Sequence, residues 1–307
     1  MRLFSLTTLA LLGLSTASYA AIGPLITPAE LQELIGTDDA PIVLDIRGPA
    51  YEQGHVEGAI SAPYALFRGG ADNPGALVPV EELESRLREL GLTHEQPVVV
   101  VHQGSDDSDF GAAARVYWTL KSSGLEDLAI LDGGAAAWAA EGLPLETRTN
   151  VPEPSDITVT FSDRWLATTD DVAEIIAGES EARLLDARPA SYFEGRESHP
   201  VADRPGTLPG AENLSHSVWF RDGTRTLDPA GALSEAASVG IGTDDQVVTF
   251  CNTGHWAATE WFALSELAGV EDVRLYPDSM VGWSQEGRPM ENTPGLFSNL
   301  LGQLRGD

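Results

Sequence analysis

A single cysteine, Cys251, and a single lysine, Lys121, occur among the 307 residues. One thiol excludes an intramolecular disulfide and any metal site built from several cysteines. Basic residues of any kind are scarce: 18 Lys plus Arg stand against 47 Asp plus Glu, a net charge of −29. Such a field repels phosphate backbones and anionic headgroups, so neither nucleic acid nor an anionic membrane surface is an expected partner. A small anionic ligand would have to be captured by local arginines. Long apolar runs are missing after Ala21, which argues against a membrane span in the mature chain. Ahead of it, Arg2, the apolar stretch 3–14 and the small residues around Tyr19 read as an export signal over residues 1–20. An uncleaved anchor is the alternative reading of that stretch. The mature protein is expected to be periplasmic or secreted.

What is present suffices for packed cores: 42% of the residues are apolar and seven are tryptophan. The length suggests two domains, and the chain is written twice. Ile42-Val43-Leu44-Asp45-Ile46-Arg47 returns as Arg183-Leu184-Leu185-Asp186-Ala187-Arg188. Gly54-His55-Val56-Glu57-Gly58-Ala59 is answered by Gly206-Thr207-Leu208-Pro209-Gly210-Ala211, and Leu66-Phe67-Arg68 by Trp219-Phe220-Arg221. Apolar runs at 98–101 and 247–250 read as strands, followed by helical stretches near 111–122 and 255–267. Trp138 and Trp283 close the two units and are expected in their cores. Thr27 and Thr169 are the expected helix caps that open them. Strands alternating with helices imply α/β units with a mainly parallel sheet, flanked by helices. The expected organisation is an N-terminal unit at 21–148, a linker at 149–155, a C-terminal unit at 156–296 and a tail at 297–307.

Only the second unit carries a cysteine where its middle strand ends, in Phe250-Cys251-Asn252-Thr253-Gly254-His255-Trp256-Ala257. Ligands of parallel sheets bind beyond the carboxyl ends of strands. A small glycine-containing turn leading into a helix can aim backbone N–H groups at a sulfur anion. A buried filler cysteine is the bland reading, and it needs no such turn.

The tandem repeat, the Asp-x-Arg strand ends, the Gly-His-x-x-Gly-Ala segment and the strand–Cys–loop–helix together resemble the two-domain rhodanese family. That family includes thiosulfate and 3-mercaptopyruvate sulfurtransferases. The resemblance implies two tandem rhodanese-like domains, the first catalytically silent, with His102 or Gln103 at the cysteine position. It implies that Cys251 accepts sulfur from a small anionic donor and passes it to cyanide or a thiol acceptor, without metal or organic cofactor. Thiosulfate is the favoured donor, because no acid–histidine pair of the mercaptopyruvate kind is found near residues 65–76. Arg188 and Arg196 are implied substrate-binding arginines, although Arg47 raises a purely structural role for Arg188. The loop residues Asn252, Thr253, Gly254, His255, Trp256 and Ala257 complete the expected binding site. Thr253 could touch the sulfur or cap the next helix, and His255 could orient an anion or simply be a satisfied loop histidine. Trp256 could shape the entrance or pack on the first domain, while His55 reads as architecture. A phosphatase is disfavoured because Ala257 stands where a Cys-x5-Arg loop has its arginine. A sulfur carrier or partner-binding module without turnover is the rival from another class.

Overall fold

The computed structural model describes residues 22–221 and 227–294. The expected export signal and the tail lie outside the described residues.

The first half runs β1 (Leu25–Ile26), α1 (Pro28–Leu34), β2 (Ile42–Asp45), β3 (His55–Val56), β4 (Ile60–Ser61), α2 (Val80–Glu89), β5 (Val98–Val101), α3 (Asp107–Ser122), β6 (Leu128–Leu131), α4 (Gly134–Ala140) and β7 (Leu145–Glu146). Its main sheet has the order β1-β6-β5-β2-β4, with every pairing parallel. The four valines of β5 are wholly buried. A central parallel strand is covered on both faces, so its sequence is continuously apolar rather than alternating.

The second half repeats this plan with α5 (Thr169–Ile176), β8 (Arg183–Asp186), α6 (Ala190–Phe193), β9 (Glu212–Asn213), α7 (Pro229–Ser238), β10 (Gln246–Phe250), α8 (Trp256–Phe262), β11 (Asp272–Leu275) and α9 (Ser279–Gln285). The sheet order β11-β10-β8-β9 is again parallel, and Leu166 bridges Leu275 where β1 stands in the first half. The α/β expectation therefore holds in both halves.

Helix starts follow side-chain chemistry. Thr27 and Glu30 form a capping box on α1. On α5 the box is made by Thr168 and Asp171, one residue earlier than the expected cap at Thr169, because the aspartate must sit at the third helical position to reach back. Helix α3 also begins earlier than its apolar pattern suggests, since Asp106 caps it ahead of the first buried residue. Trp138 and Trp283 are buried, each donating its indole N–H to the carbonyl of a following proline, Pro144 and Pro289.

The halves meet along α3 and α8. Helix α3 is buried nearly all round, as a helix sandwiched between two layers must be. Phe110 and Tyr117 meet Phe262 edge-on at 5.6 and 5.0 Å, and Tyr117 and Lys121 both reach Glu266. The segment after the linker also runs along the first half: Ser155 N–H donates to Arg88 O, and Arg88 Nε donates to Ile157 O. This packing brings the N-terminal end of α3 against the cysteine loop at the head of α8.

Candidate active site

The duplication gives a position-by-position control for the cysteine loop. Val101 pairs with Asp45 as Phe250 pairs with Asp186, so His102 is the counterpart of Cys251 and Gln103 of Asn252. The bonds below the loops agree: Ala135 and Ala136 N–H donate to His102 and Gln103 O, and Met280 and Val281 N–H donate to Cys251 and Asn252 O. Gly134, at φ +61°, therefore corresponds to Ser279, at φ +50°.

That serine is the first difference between the loops. A non-glycine residue in the left-handed region costs about 1–2 kcal/mol, and such strain persists where surrounding contacts enforce it. Ser279 Oγ donates to Tyr276 O and accepts the N–H groups of Cys251 (3.0 Å) and Gly254 (3.2 Å). One hydroxyl thus pins both ends of the turn. A serine could not stand at Gly134, where a Cβ would collide with His102 Nδ1 and with the backbone of His102 and Gly104.

The second difference concerns the remaining donors. In the first half, Asp109 Oδ2 accepts from Gly104 N–H (2.6 Å) and Ser105 N–H (3.4 Å), so a carboxylate of the chain itself fills the turn. Asp109 follows His102 by the same spacing that separates Ala258 from Cys251. An alanine leaves that place without charge. Among the described residues, the N–H groups of Asn252, Thr253, His255 and Trp256 have no protein acceptor.

Cys251 is only 1% exposed and borders a cavity of about 230 Å³. Asn252, Thr253, His255 and Trp256 line it from the loop, with His199 beside them and Arg68 and Pro74 from the first half. Thr253 Oγ1 accepts from Arg68 Nη2 (2.8 Å) and does not cap α8. Asn252 Oδ1 accepts from Arg188 Nη1 (3.2 Å). Trp256 fills both expected roles: it walls the cavity, and its Nε1–H donates to Ser108 Oγ of the first half. Gly254 and Ala257 are among the loop residues but outside the cavity lining. At Gly254, φ is +64° and a Cβ would collide with Arg115 Nη1. Ala257 is buried and brings no guanidinium to phosphoryl oxygens.

His255 is a satisfied histidine. Tyr64 OH lies 3.1 Å from Nδ1 and Ser108 O lies 2.8 Å from Nε2. A carbonyl can only accept, which puts the proton on Nε2 and leaves Nδ1 to accept from the tyrosine. Burial, reinforced by the Arg68 charge, lowers its pKa to about 4. Its ring resonances in an NMR titration should therefore move with a midpoint near 4; a midpoint at the ordinary 6.5 would contradict this environment.

Two expected substrate arginines are elsewhere. Arg188 is buried; its Nε and Nη2 grip Asp186 (2.8 and 2.6 Å), Nη2 also reaches Gly206 O, and it does not line the cavity. Arg47 repeats the grip with Asp45, Gly54 O and Gln103. Both arginines tie the strand end to the loop base, so the structure places Arg188 in a bracing position and not in the cavity lining. Arg196 pairs with Glu194 on the surface and lines a different depression, because α6 carries it away from the loop. His55 is buried between Tyr51 O and Arg148 O, an architectural position.

The cations at the loop come instead from the first half. Arg115, wholly buried, donates to Gly75 O (2.9 Å) and reaches Thr253 O and Gly254 O at 3.5 and 3.4 Å. Arg68 donates from Nε to Pro74 O and from Nη2 to Thr253. Neither has a carboxylate within 4.0 Å among the described residues. No His, Cys, Asp and Glu cluster able to hold a metal occurs among the described residues.

The model of the rhodanese-like domain matches this chain twice, at residues 27–141 and 168–286. SseB of Mycobacterium tuberculosis is 33% identical over 278 residues, covering 85% of this chain and 94% of the relative. A thiosulfate sulfurtransferase of Azotobacter vinelandii is 30% identical, covering 86% and 95%. A 3-mercaptopyruvate sulfurtransferase of Escherichia coli K12 is also 30% identical, covering 76% and 81%. Among solved structures, EanB with hercynine superposes with a TM-score of 0.77 at 20% identity, over 87% of this chain and 69% of that one. The duplicated fold, the single loop cysteine and these relatives agree, and the chain belongs to the rhodanese family of sulfurtransferases.

Proposed function

We propose that this protein moves sulfane sulfur from thiosulfate to cyanide or a thiol acceptor through a persulfide on Cys251, outside the cytoplasm as residues 1–20 suggest. The observation that carries the reading is the contrast between the two loops. The silent turn is closed by its own Asp109 carboxylate, whereas the Cys251 turn keeps its N–H groups unclaimed beside a cavity. Unclaimed, convergent backbone donors stabilise an anion at low cost in reorganisation.

The Cys251 thiolate attacks the outer sulfur of thiosulfate. A new S–S bond forms as the old one breaks, and sulfite leaves with the bonding electron pair. The terminal sulfur of the persulfide now carries the charge, held by the turn. Cyanide then attacks that sulfur, the S–S bond breaks towards Cys251, and thiocyanate departs with the thiolate restored. Splitting one transfer into two displacements is the gain from covalent catalysis.

Thiosulfate is favoured over 3-mercaptopyruvate for a chemical reason. Sulfite is a stable dianion that leaves unprotonated, while the carbon end of 3-mercaptopyruvate needs a proton as it leaves. His255, beside the thiol, is neutral with both nitrogens engaged. Steady release of thiocyanate over many turnovers from thiosulfate and cyanide is the expected result. A protein that loads one sulfur and stalls would instead be a carrier.

A further inference from the structure

Arg68 combines three features found together in no other cation of the described structure. It lines the cavity that holds Cys251. It has no carboxylate within 4.0 Å among the described residues, in a chain of net charge −29. Its Nε and Nη2 hold Pro74 O and Thr253 Oγ1, while Nη1 has no protein acceptor among the described residues. None of the other arginines near the loop lines that cavity. Arg188 is saturated by Asp186, Gly206 O and Asn252, and Arg115 is sealed under the loop against Gly75 O. Arg196 is on the surface with Glu194.

The guanidinium is also held rigidly. Its carbon lies 4.9 Å from the centroid of the Tyr64 ring, and Tyr64 is itself anchored on His255. A cation fixed over an aromatic face and bonded to the loop has lost its rotamer freedom before any ligand arrives. A planar guanidinium with a free N–H edge suits the oxygens of a sulfonate or carboxylate.

We propose that Arg68, a residue of the catalytically silent half, is the receptor for the anionic end of the sulfur donor. The inference rests on Cys251 as the sulfur-accepting thiol. Because Arg68 belongs to the first half and Cys251 to the second, neither half contains a complete site. The silent copy is then a working part of the donor site.

The test compares two alkylating agents that attack the same thiol, iodoacetate with a carboxylate and iodoacetamide without one. In the full-length protein with Arg68→Met, the rate ratio of iodoacetate to iodoacetamide at Cys251 should fall about 10- to 100-fold, the worth of a charge-assisted contact. Arg68→Lys should recover part of that ratio. Thiosulfate loading should fall with the ratio. An unchanged ratio in Arg68→Met overturns the proposal, as does an equal slowing by both reagents, which would mark a loop held in shape and nothing more. If the wild-type protein does not load sulfur from thiosulfate, the proposed donor falls, yet the alkylation ratio still decides the role of Arg68. Should Arg68→Met fail to fold, Arg68→Lys serves: its ratio should lie below that of the wild-type protein with thiosulfate loading falling in step, and a wild-type ratio in Arg68→Lys contradicts the assignment of a planar guanidinium contact.

Discussion

Aspartate in place of Ala258 is expected to lower sulfur transfer by about 10²- to 10³-fold, the size of the effect when preorganised donors are lost to a developing anion. The first half supplies the precedent. There Asp109 holds the turn N–H groups with its carboxylate, and that turn is the same length as the Cys251 turn. A carboxylate at Ala258 would compete with the sulfur for the same donors and repel both the thiolate and the incoming donor. Ala258 is buried, so the substitution also crowds the core around it. Ala258→Asn separates the two effects, since it has the same shape without the charge. Thiocyanate production should fall much further for Ala258→Asp than for Ala258→Asn, with iodoacetamide reactivity of Cys251 following the same order. Equal losses would mean that bulk, not charge, distinguishes the loops.

Arg188→Met is expected to cost about 3–5 kcal/mol of folding stability, because it strands the buried Asp186 carboxylate without its partner. Asp186 is wholly buried and accepts from Arg188 Nε and Nη2, the Arg188 backbone N–H and the Thr207 hydroxyl. Denaturant unfolding of the variant should show the loss directly, and Asp186→Asn added to Arg188→Met should recover part of it. A variant of ordinary stability that is impaired only with charged donors would restore the substrate role that the sequence suggests for Arg188.

The chemistry most legible in the sequence was local. Asp-x-Arg at two strand ends, the paired glycine segments and the strand–cysteine–turn are each contained within a few residues, and the fold follows from them. Arg188 was legible too, but its meaning was not. The same Asp-x-Arg grip at Arg47, in a half without cysteine, was the signal that the pair is structural. Arg68 and Arg115 were missed because they come from the other half and reach the loop across 185 and 138 residues of sequence. The match of Arg68 with Arg221 between the repeats concealed it further, since a residue present in both halves reads as architecture. Ser279 carried a weak signal: it stands where the first repeat has Gly134, and a serine in a glycine position marks a backbone held in place by something else. The difference between Ala258 and Asp109 is plain once the loops are superposed, but their bonding pattern had to be seen before the carboxylate could be read as a plug.

The central claim is that Cys251 carries the transferred sulfur. The most direct measurement is the intact mass of the protein after brief exposure to thiosulfate, with the site located by peptide mapping. The expected result is the gain of one sulfur atom on Cys251, removed by cyanide with stoichiometric release of thiocyanate, and no gain in Cys251→Ser. Thiocyanate formation by Cys251→Ser at a rate near that of the wild-type protein would contradict the account.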